Sequence, residues 1–360
     1  MTYLDYQATT PLAPEALAAM LPWLEHGHAN PHSPHREGRR ARAAVEHARG
    51  QVAALLPPRG TLAFTSGATE ALNWAIQGST GPIVTIATEH AAVLETAAAT
   101  GRPLTVLPVG ANGLVDLGAA RAAIVPGTGL VVAMLVNNEI GVIQPIADLA
   151  ELAHAAGARM LCDAVQGYGR VAIPGTCDMI AISAHKIHGP KGVGALWLRD
   201  GVVPAALLHG GGQETPGRSG TLSPALCAGF GVAATLMADQ RDADVAHVDK
   251  LWALAIEAFG EGWTINGTVD RRYRGNLNAR RDGLDVARLM SDVRDVAFSA
   301  GSACASGSGR SSHVLRALGL NDQAARASIR LGFGRYTGTD DLRAAITALR
   351  TAAQAQRVRA

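Results

Sequence analysis

Cysteine is scarce in this sequence: four in 360 residues. Cys162, Cys177, Cys227 and Cys304 show no CxxC spacing, which excludes a zinc-ribbon site and a disulfide framework. Net charge is nearly absent, 32 basic against 30 acidic residues for +2, so no strong field points to nucleic acid. Short basic clusters such as Arg39-Arg40 and Arg271-Arg272 read as solvated faces. No apolar run approaches the roughly 18 residues that span a bilayer. The opening Met1-Thr-Tyr-Leu-Asp-Tyr6 has neither a basic n-region nor an apolar h-region, so it does not read as a signal peptide. No GxGxxG turn opens the first helix, which removes a nicotinamide dehydrogenase. There is no internal repeat. What is present is a hydrophobic content of 48 %, ample for a large core, in a length that suits about two domains. These features together predict a soluble, cytoplasmic protein.

The most informative stretch is Met179-Ile-Ala-Ile-Ser-Ala-His-Lys-Ile-His-Gly-Pro-Lys191. Met179 to Ile182 read as the end of a buried strand, and Gly189-Pro190 forces a turn before a second strand, Gly192 to Leu198. Lys186 therefore stands at the mouth of a buried strand. Desolvation there lowers an amine's pKa, and a neutral lysine amine is a nucleophile towards carbonyls. A lone loop lysine would ordinarily be solvated, so its neighbours decide the matter.

Those neighbours recur in an α/β rhythm. Strand Ile83–Ala87 leads to His90, strand Leu130–Val136 to Asn138, and strand Arg159–Cys162 to Asp163 and Gln166. With Lys186, five polar residues sit just beyond strand C-termini, the edge at which open α/β sheets bind ligands. Upstream, Leu62 to Thr65 is apolar, breaks at Ser66-Gly67, and gives way to a helix from Thr69 to about Ile76. Free N–H groups and a hydroxyl at such a helix start suit a phosphate. The histidines of Asn30-Pro-His-Ser-Pro-His35 lie in an irregular loop, where two prolines rule out helical ligand spacing, so no metal is expected. A helix from Arg36 to Leu56 follows.

A helical stretch from Ser223 to about Gly260 leads out of this unit, with a polar middle that puts a boundary near residue 245. The expected division is a large domain of residues 12–245 and a small domain of residues 1–11 and 246–360. Strand-like Trp263–Asn266, Gly275–Asn278, Val296–Phe298 and Ala327–Phe333, with helices at Leu284–Val293 and around Leu342, Ile346 and Leu349, make the small unit α+β. Ser299 to Ser312 is almost wholly small residues, a composition that predicts a mobile loop. Cys304 lies near its centre, where a thiol is more plausibly reactive than packed.

Pyridoxal phosphate would account for this rim. Lys186 would hold its aldehyde, Asp163 would keep the pyridinium nitrogen protonated, and the helix at Thr69 would take the phosphate. An imidazole such as His90 would cover the ring.

Thr65-Ser-Gly-Ala-Thr-Glu70, Thr88-Glu-His90, Asn137-Asn-Glu-Ile-Gly141, Cys162-Asp-Ala-Val-Gln166, Ser183-Ala-His-Lys186, Gly210-Gly-Gly-Gln-Glu214, Arg218-Ser-Gly-Thr221 and Ser299-Ala-Gly-Ser-Ala-Cys304 resemble the cysteine desulfurases of the NifS/IscS type. These are pyridoxal-phosphate enzymes of the class V aminotransferase group. The resemblance runs in family order from Tyr3 to Arg330. It implies fold type I of the pyridoxal-phosphate transferases: a large domain with a mostly parallel sheet, a smaller α+β domain, and a homodimer. It also implies roles. Lys186 is similar to the cofactor-holding lysine and is placed to move the substrate Cα proton. Asp163 resembles the partner of the pyridine nitrogen, Gln166 that of the ring oxygen, and His90 the ring-stacking catalytic histidine. Ala68, Thr69, Ser183 and His185 match cofactor-phosphate positions, with Thr221 reaching across from the other subunit. Arg330 and Asn138 resemble the holders of the substrate carboxylate. Cys304 matches the catalytic cysteine that takes sulfur from L-cysteine as a persulfide, leaving alanine.

The chain departs from the family at three points. Ala29 stands where glycine is usual, Thr215 where many members carry arginine, and the chain stops at Ala360, without the longer tail that helps IscS-type members dock an iron–sulfur scaffold. The sulfur-acceptor protein is thus left open among iron–sulfur assembly, tRNA thiolation and DNA phosphorothioation. A selenocysteine lyase or another class V enzyme is the competing reading, against which Cys304 discriminates. A non-catalytic sulfur-relay or scaffold subunit is a third, opposed by intact Lys186 and Asp163.

Overall fold

A computed structural model describes residues 1–215, 217–301 and 311–357. After β1 (Thr2–Tyr3) come α1 (Pro14–Glu25), which begins with a proline, and α2 (Arg36–Ala53). The alternating part follows as β2 (Gly60–Thr65), α3 (Ala68–Gln77), β3 (Ile83–Ile86), α4 (Ala91–Ala99), β4 (Leu104–Leu107), α5 (Leu117–Ala123), β5 (Leu130–Met134) and α6 (Ile146–Ala155). It continues through β6 (Arg159–Asp163), β7 (Met179–Ser183) and β8 (Gly194–Arg199).

These strands form a seven-stranded sheet in the order β2-β8-β7-β6-β5-β3-β4. The pairs from β7 to β4 are parallel, and β8 runs antiparallel to both its neighbours. The central strands read as continuous apolar runs because both faces of the sheet are covered. Period-two alternation sorts them: Val131, Cys162, Ile180 and Ile182 enter one core, and Val132, Leu161, Met179 and Ala181 the other. Residues of α1, α2, α6 and the long helix α7 (Pro224–Asp239) pack on the first face. Those of α3 and α4, including Leu72, Trp74 and Val93, cover the second.

The expected helical stretch from Ser223 to about Gly260 consists of two helices. α7 stops at Asp239, and α8 (Arg241–Phe259) starts after Gln240, whose backbone at φ −104°, ψ 9° is not helical. The polar run around Gln240 has no apolar anchor to either core, so the chain bends there and α8 delivers Leu251, Ala255 and Phe259 to a separate cluster. That cluster is built on β9 (Thr264–Ile265), β10 (Asn276–Arg280), α9 (Val286–Asp292), β11 (Val296–Ala297) and β12 (Ser299–Ala300). After α10 (His313–Ala317) and α11 (Asp322–Arg326), β13 (Ser328–Gly332) and α12 (Thr339–Arg357) complete it. β12, β13, β10 and β9 form an antiparallel sheet. β1 pairs in parallel with β11, and Leu4 is buried in this second cluster. The chain then passes directly from Leu4 to the edge of the large sheet, which positions residues 5 to 10 between the two units.

Candidate active site

Because β3, β5, β6 and β7 are parallel and adjacent, their C-terminal ends open on one edge. The segments that leave those ends surround a cavity of about 590 Å³. His90, Asn138, Asp163, Gln166 and Lys186, the five rim residues expected from the strand pattern, all line it. So do Ala68, Thr69, Ser183, His185 and Arg330.

Lys186 ends a single 3-10 turn, Ala184–Lys186, that follows β7 directly. The turn closes tightly: Gly189 N–H donates to Ala184 O at 2.9 Å, and a Cβ on Gly189 would lie 2.9 Å from the Ala184 methyl, so only glycine fits. The Lys186 ammonium Nζ donates to the carbonyls of Gln7 at 2.6 Å and Ala8 at 2.7 Å. Burial, helped by the nearby Arg330 and Arg170 charges, pulls its pKa down to about 8. An amine that loses its proton near neutral pH is available to attack a carbonyl.

A place for an anion lies on the same cavity. α3 begins at Gly67 with no side-chain cap, so its first N–H groups face outward. β8 presses against this turn: a Cβ on Gly194 would be 2.7 Å from Gly67 Cα and 2.6 Å from Ile182 O. Opposite stand Ser183 and His185, whose Nδ1 is 3.2 Å from Thr9 Oγ1. Burial and the charges of Lys186 and Lys191 hold His185 down at about 4, so its imidazole is neutral.

Asp163, the last residue of β6, accepts from Val165 N–H at 3.0 Å. Burial pushes its carboxyl up, and the Val165 N–H bond and the Lys186 charge partly offset this. Behind it lies Glu89, wholly buried. One oxygen of Glu89 accepts from Met134 N–H at 2.7 Å and the other has no partner among the described residues, so burial and the Asp163 charge hold it far above the usual range as a neutral acid. His90 caps α4, its Nδ1 accepting from Ala92 N–H at 3.1 Å. That contact puts the imidazole proton on Nε2, and burial keeps the ring uncharged. Gln166 donates from Nε2 to Gln7 O at 2.9 Å, the carbonyl Lys186 also reaches.

Arg330 comes from the middle of β13 and is 1 % exposed. Nη1 donates to Asn138 O at 3.1 Å, and Nη2 to Asp5 Oδ1 at 2.7 Å and Ser299 Oγ at 3.2 Å. Its Nε is buried and has no partner among the described residues. What Arg330 meets of Asn138 is thus the main-chain carbonyl.

Two expected site residues are not in this group. Thr221 is exposed and does not line the cavity of its own chain. Cys304 lies outside the described residues. The other three cysteines are free and buried. Asp5, Gln7, Ala8, Glu89 and Arg170 belong to the site without having been singled out in the sequence. Gln7 and Ala8 act through main-chain carbonyls, which leave no signal in residue type. Asp5, in the opening stretch where the resemblance begins, and Glu89, inside Thr88-Glu-His90, did offer one.

The class-V aminotransferase family matches residues 2–344. The cysteine desulfurase IscS of Rickettsia bellii is 41 % identical over 94 % of this chain and 88 % of its own. Among solved structures, a NifS-like protein from Rickettsia africae superposes with a TM-score of 0.91 at 28 % identity, covering 98 % of this chain and 99 % of that one. SspA in complex with cysteine gives a TM-score of 0.83 at 31 % identity, over 94 % and 100 % of the two chains. Matching over nearly the whole length, with five of the eight motifs contributing to one cavity, places this chain in the class-V aminotransferase family, among its cysteine desulfurases of the NifS/IscS type.

Proposed function

We propose that this protein uses pyridoxal phosphate to remove sulfur from L-cysteine, passing it through Cys304 to an acceptor protein and releasing alanine. The observation that carries the reading is Lys186: a buried amine with its pKa near 8, on one cavity with a buried carboxylate and an uncapped helix start. Those groups fit the cofactor. The α3 N-terminus, Ala68, Thr69, Ser183 and His185 would hold its phosphate, Asp163 its pyridine nitrogen, Gln166 its ring oxygen, and His90 would cover its ring. When bound, the cofactor withdraws electrons from the substrate Cα and so acidifies its proton.

The chain's own residues do the rest. Arg330 and Asn138 orient the substrate carboxylate. Lys186, once its amine is released, takes the Cα proton and returns one. The Cys304 thiolate bonds to the substrate sulfur as the Cβ–S bond breaks, and the electron pair left on carbon takes up a proton to give alanine. Its place in the sequence supports this. The described chain leaves Gly301 two residues after Ser299, which pairs with Arg330 in the sheet. Cys304 is three residues further, a reach of about 10 Å. The remaining thiols are poor candidates. Burial pushes Cys227 up to about 12, and a Cys177 hydrogen bond together with burial raises Cys162 further above the normal range.

The same reading takes the chain as a cytoplasmic homodimer divided near residue 245. Two separate cores support the division, though α8 runs across it. α1 leaves Leu17, Leu21 and Leu24 exposed on one helical face, an apolar stripe suited to a second copy. Among the described residues no helix is long and apolar enough to cross a membrane. The deciding experiment is incubation with L-cysteine and reductant, measuring sulfide and alanine together. Equal yields of the two are expected. Pyruvate or ammonia in place of alanine would overturn the reading.

A further inference from the structure

A second cavity, of about 410 Å³, lies between the two cores on the far side of the Lys186 turn. Five arginines line it, with three aspartates. Two of the arginines are paired: Arg335 with Asp244 at 2.5 Å and Arg274 with Asp249 at 3.1 Å. Among the described residues, Arg170, Arg241 and Arg272 have no carboxylate partner, and the one aspartate left over is Asp270. His188, also on the wall, is held near 4 by burial and is neutral. The cavity therefore carries unbalanced positive charge.

Arg272 is the acute case. It is 6 % exposed, stacks its guanidinium 4.8 Å from the Trp252 ring centre, and donates from Nη2 to Ile140 O. Its Nε and Nη1 are buried and have no hydrogen-bond partner among the described residues. A buried cation left without a counter-charge is costly, and burial alone, with no acid to offset it, draws Arg272 down to about 10. Arg170 stacks 5.0 Å from the Tyr273 ring centre and spends its donors on the carbonyl oxygens of Lys186 and Gln166 and on Gln166 Oε1. The same walls carry Tyr6, Tyr273, Met237 and Val248, which would cover an apolar body. The volume is within the range of small-molecule sites, about 300–1,000 Å³.

We propose that this cavity binds a small organic oxyanion, a carboxylate or a phosphate ester, whose charge is met by Arg272, Arg170 and Arg241. The planar guanidinium fork suits either group. Arg170 joins this site to the active site, since it holds the carbonyls of Lys186 and Gln166 from behind. The two cavities share that arginine's contacts and otherwise no wall.

The test needs no turnover. Protein saturated with pyridoxal phosphate, so that the cofactor's own phosphate position is filled, is titrated calorimetrically with inorganic phosphate and separately with citrate at matched ionic strength. One saturable site per chain is expected for at least one of the two, and the preferred anion tells phosphate from carboxylate. Arg272→Met and Arg241→Gln should each weaken that binding about tenfold, the worth of one lost charge-assisted contact. Arg330→Ala should leave it unchanged. Arg241 is exposed at the start of α8, so its variant reports even where Arg272→Met does not fold. No saturable binding of either anion overturns the proposal, as does binding that Arg330→Ala abolishes and the Arg272 and Arg241 variants leave intact.

Discussion

Asp5 and Arg330, 325 positions apart, form a 2.7 Å ion pair at the wall of the active-site cavity. Ser299 Oγ, which donates to the same Asp5 oxygen at 2.8 Å, completes a small network that fixes the guanidinium before any substrate arrives. On the proposed reading the pair would make Arg330 a preformed carboxylate clamp, since a guanidinium held in one pose loses less entropy on binding.

Arg330→Ala is expected to weaken L-cysteine binding by about 1.5–3 kcal/mol, the usual worth of a hydrogen bond to a charged group. Asp5→Asn keeps an acceptor for Arg330 and should stay near wild type. Asp5→Ala releases the guanidinium and should raise KM with kcat largely kept. Steady-state kinetics of the three variants separate these outcomes. An unchanged KM in Arg330→Ala would remove Arg330 from the substrate site.

Lys186→Ala should end covalent capture of the cofactor. Borohydride treatment followed by peptide mass spectrometry is the check: the wild type should carry a pyridoxyl group on Lys186 and the variant none. An adduct on Lys191 would move the assignment there. Capture is also pH-dependent. The neutral amine is the nucleophile and the Lys186 pKa is about 8, so the rate should climb as pH rises towards 8 and level off above it. A rate flat between pH 6 and 9 would contradict that pKa.

Cys304→Ser should bind cofactor and substrate but release no sulfide, because a hydroxyl is protonated at neutral pH and accepts no sulfur as a persulfide. After one turnover the wild-type peptide holding Cys304 should gain about 32 Da, one sulfur atom. Mass gained on Cys162, Cys177 or Cys227, or undiminished desulfuration by the serine variant, would refute the assignment.

Glu139 offers a stability test. It is buried, accepts a hydrogen bond from Ser312 Oγ at the start of α10, and burial raises its pKa to about 7 despite Ser312 and Arg330. A carboxyl raised on folding binds its proton more tightly in the folded state. It therefore lends stability that is fully present below about pH 4.5 and is lost as pH rises through 7. Glu139→Gln keeps an acceptor and cannot ionise. Its stability relative to wild type, followed as Tm, should rise between pH 5 and 8, the free-energy difference levelling off at about 3 kcal/mol. A constant Tm difference across that range would show that Glu139 does not titrate there.

Much of the site was legible in residue order. Strand ends are local features: Met179–Ile182 and Arg159–Cys162 announce buried strands by composition, and the polar residue after each must lie at the edge where the strand stops. Lys186, Asp163, Gln166, Asn138 and His90 were found in that way, and all five share one cavity. Where local pattern was incomplete, the deciding influence was tertiary. The polar middle of the Ser223 to Gly260 stretch marks a boundary, but that the helix stops at Asp239 and restarts at Arg241 follows from α7 and α8 serving different cores.

By itself, then, the sequence determined the strand-and-helix succession, the ligand edge of the sheet, and the family, because each depends on near neighbours or on motifs in order. The tertiary structure alone decided how those residues are tuned. Lys186 meets the Gln7 carbonyl across 179 positions, and Arg330 meets Asp5 across 325. Arg272 was a solvated surface charge in the sequence and is a buried, unpaired cation in the fold. Burial and pairing are set by what the rest of the chain brings alongside a residue, and no local periodicity carries that information.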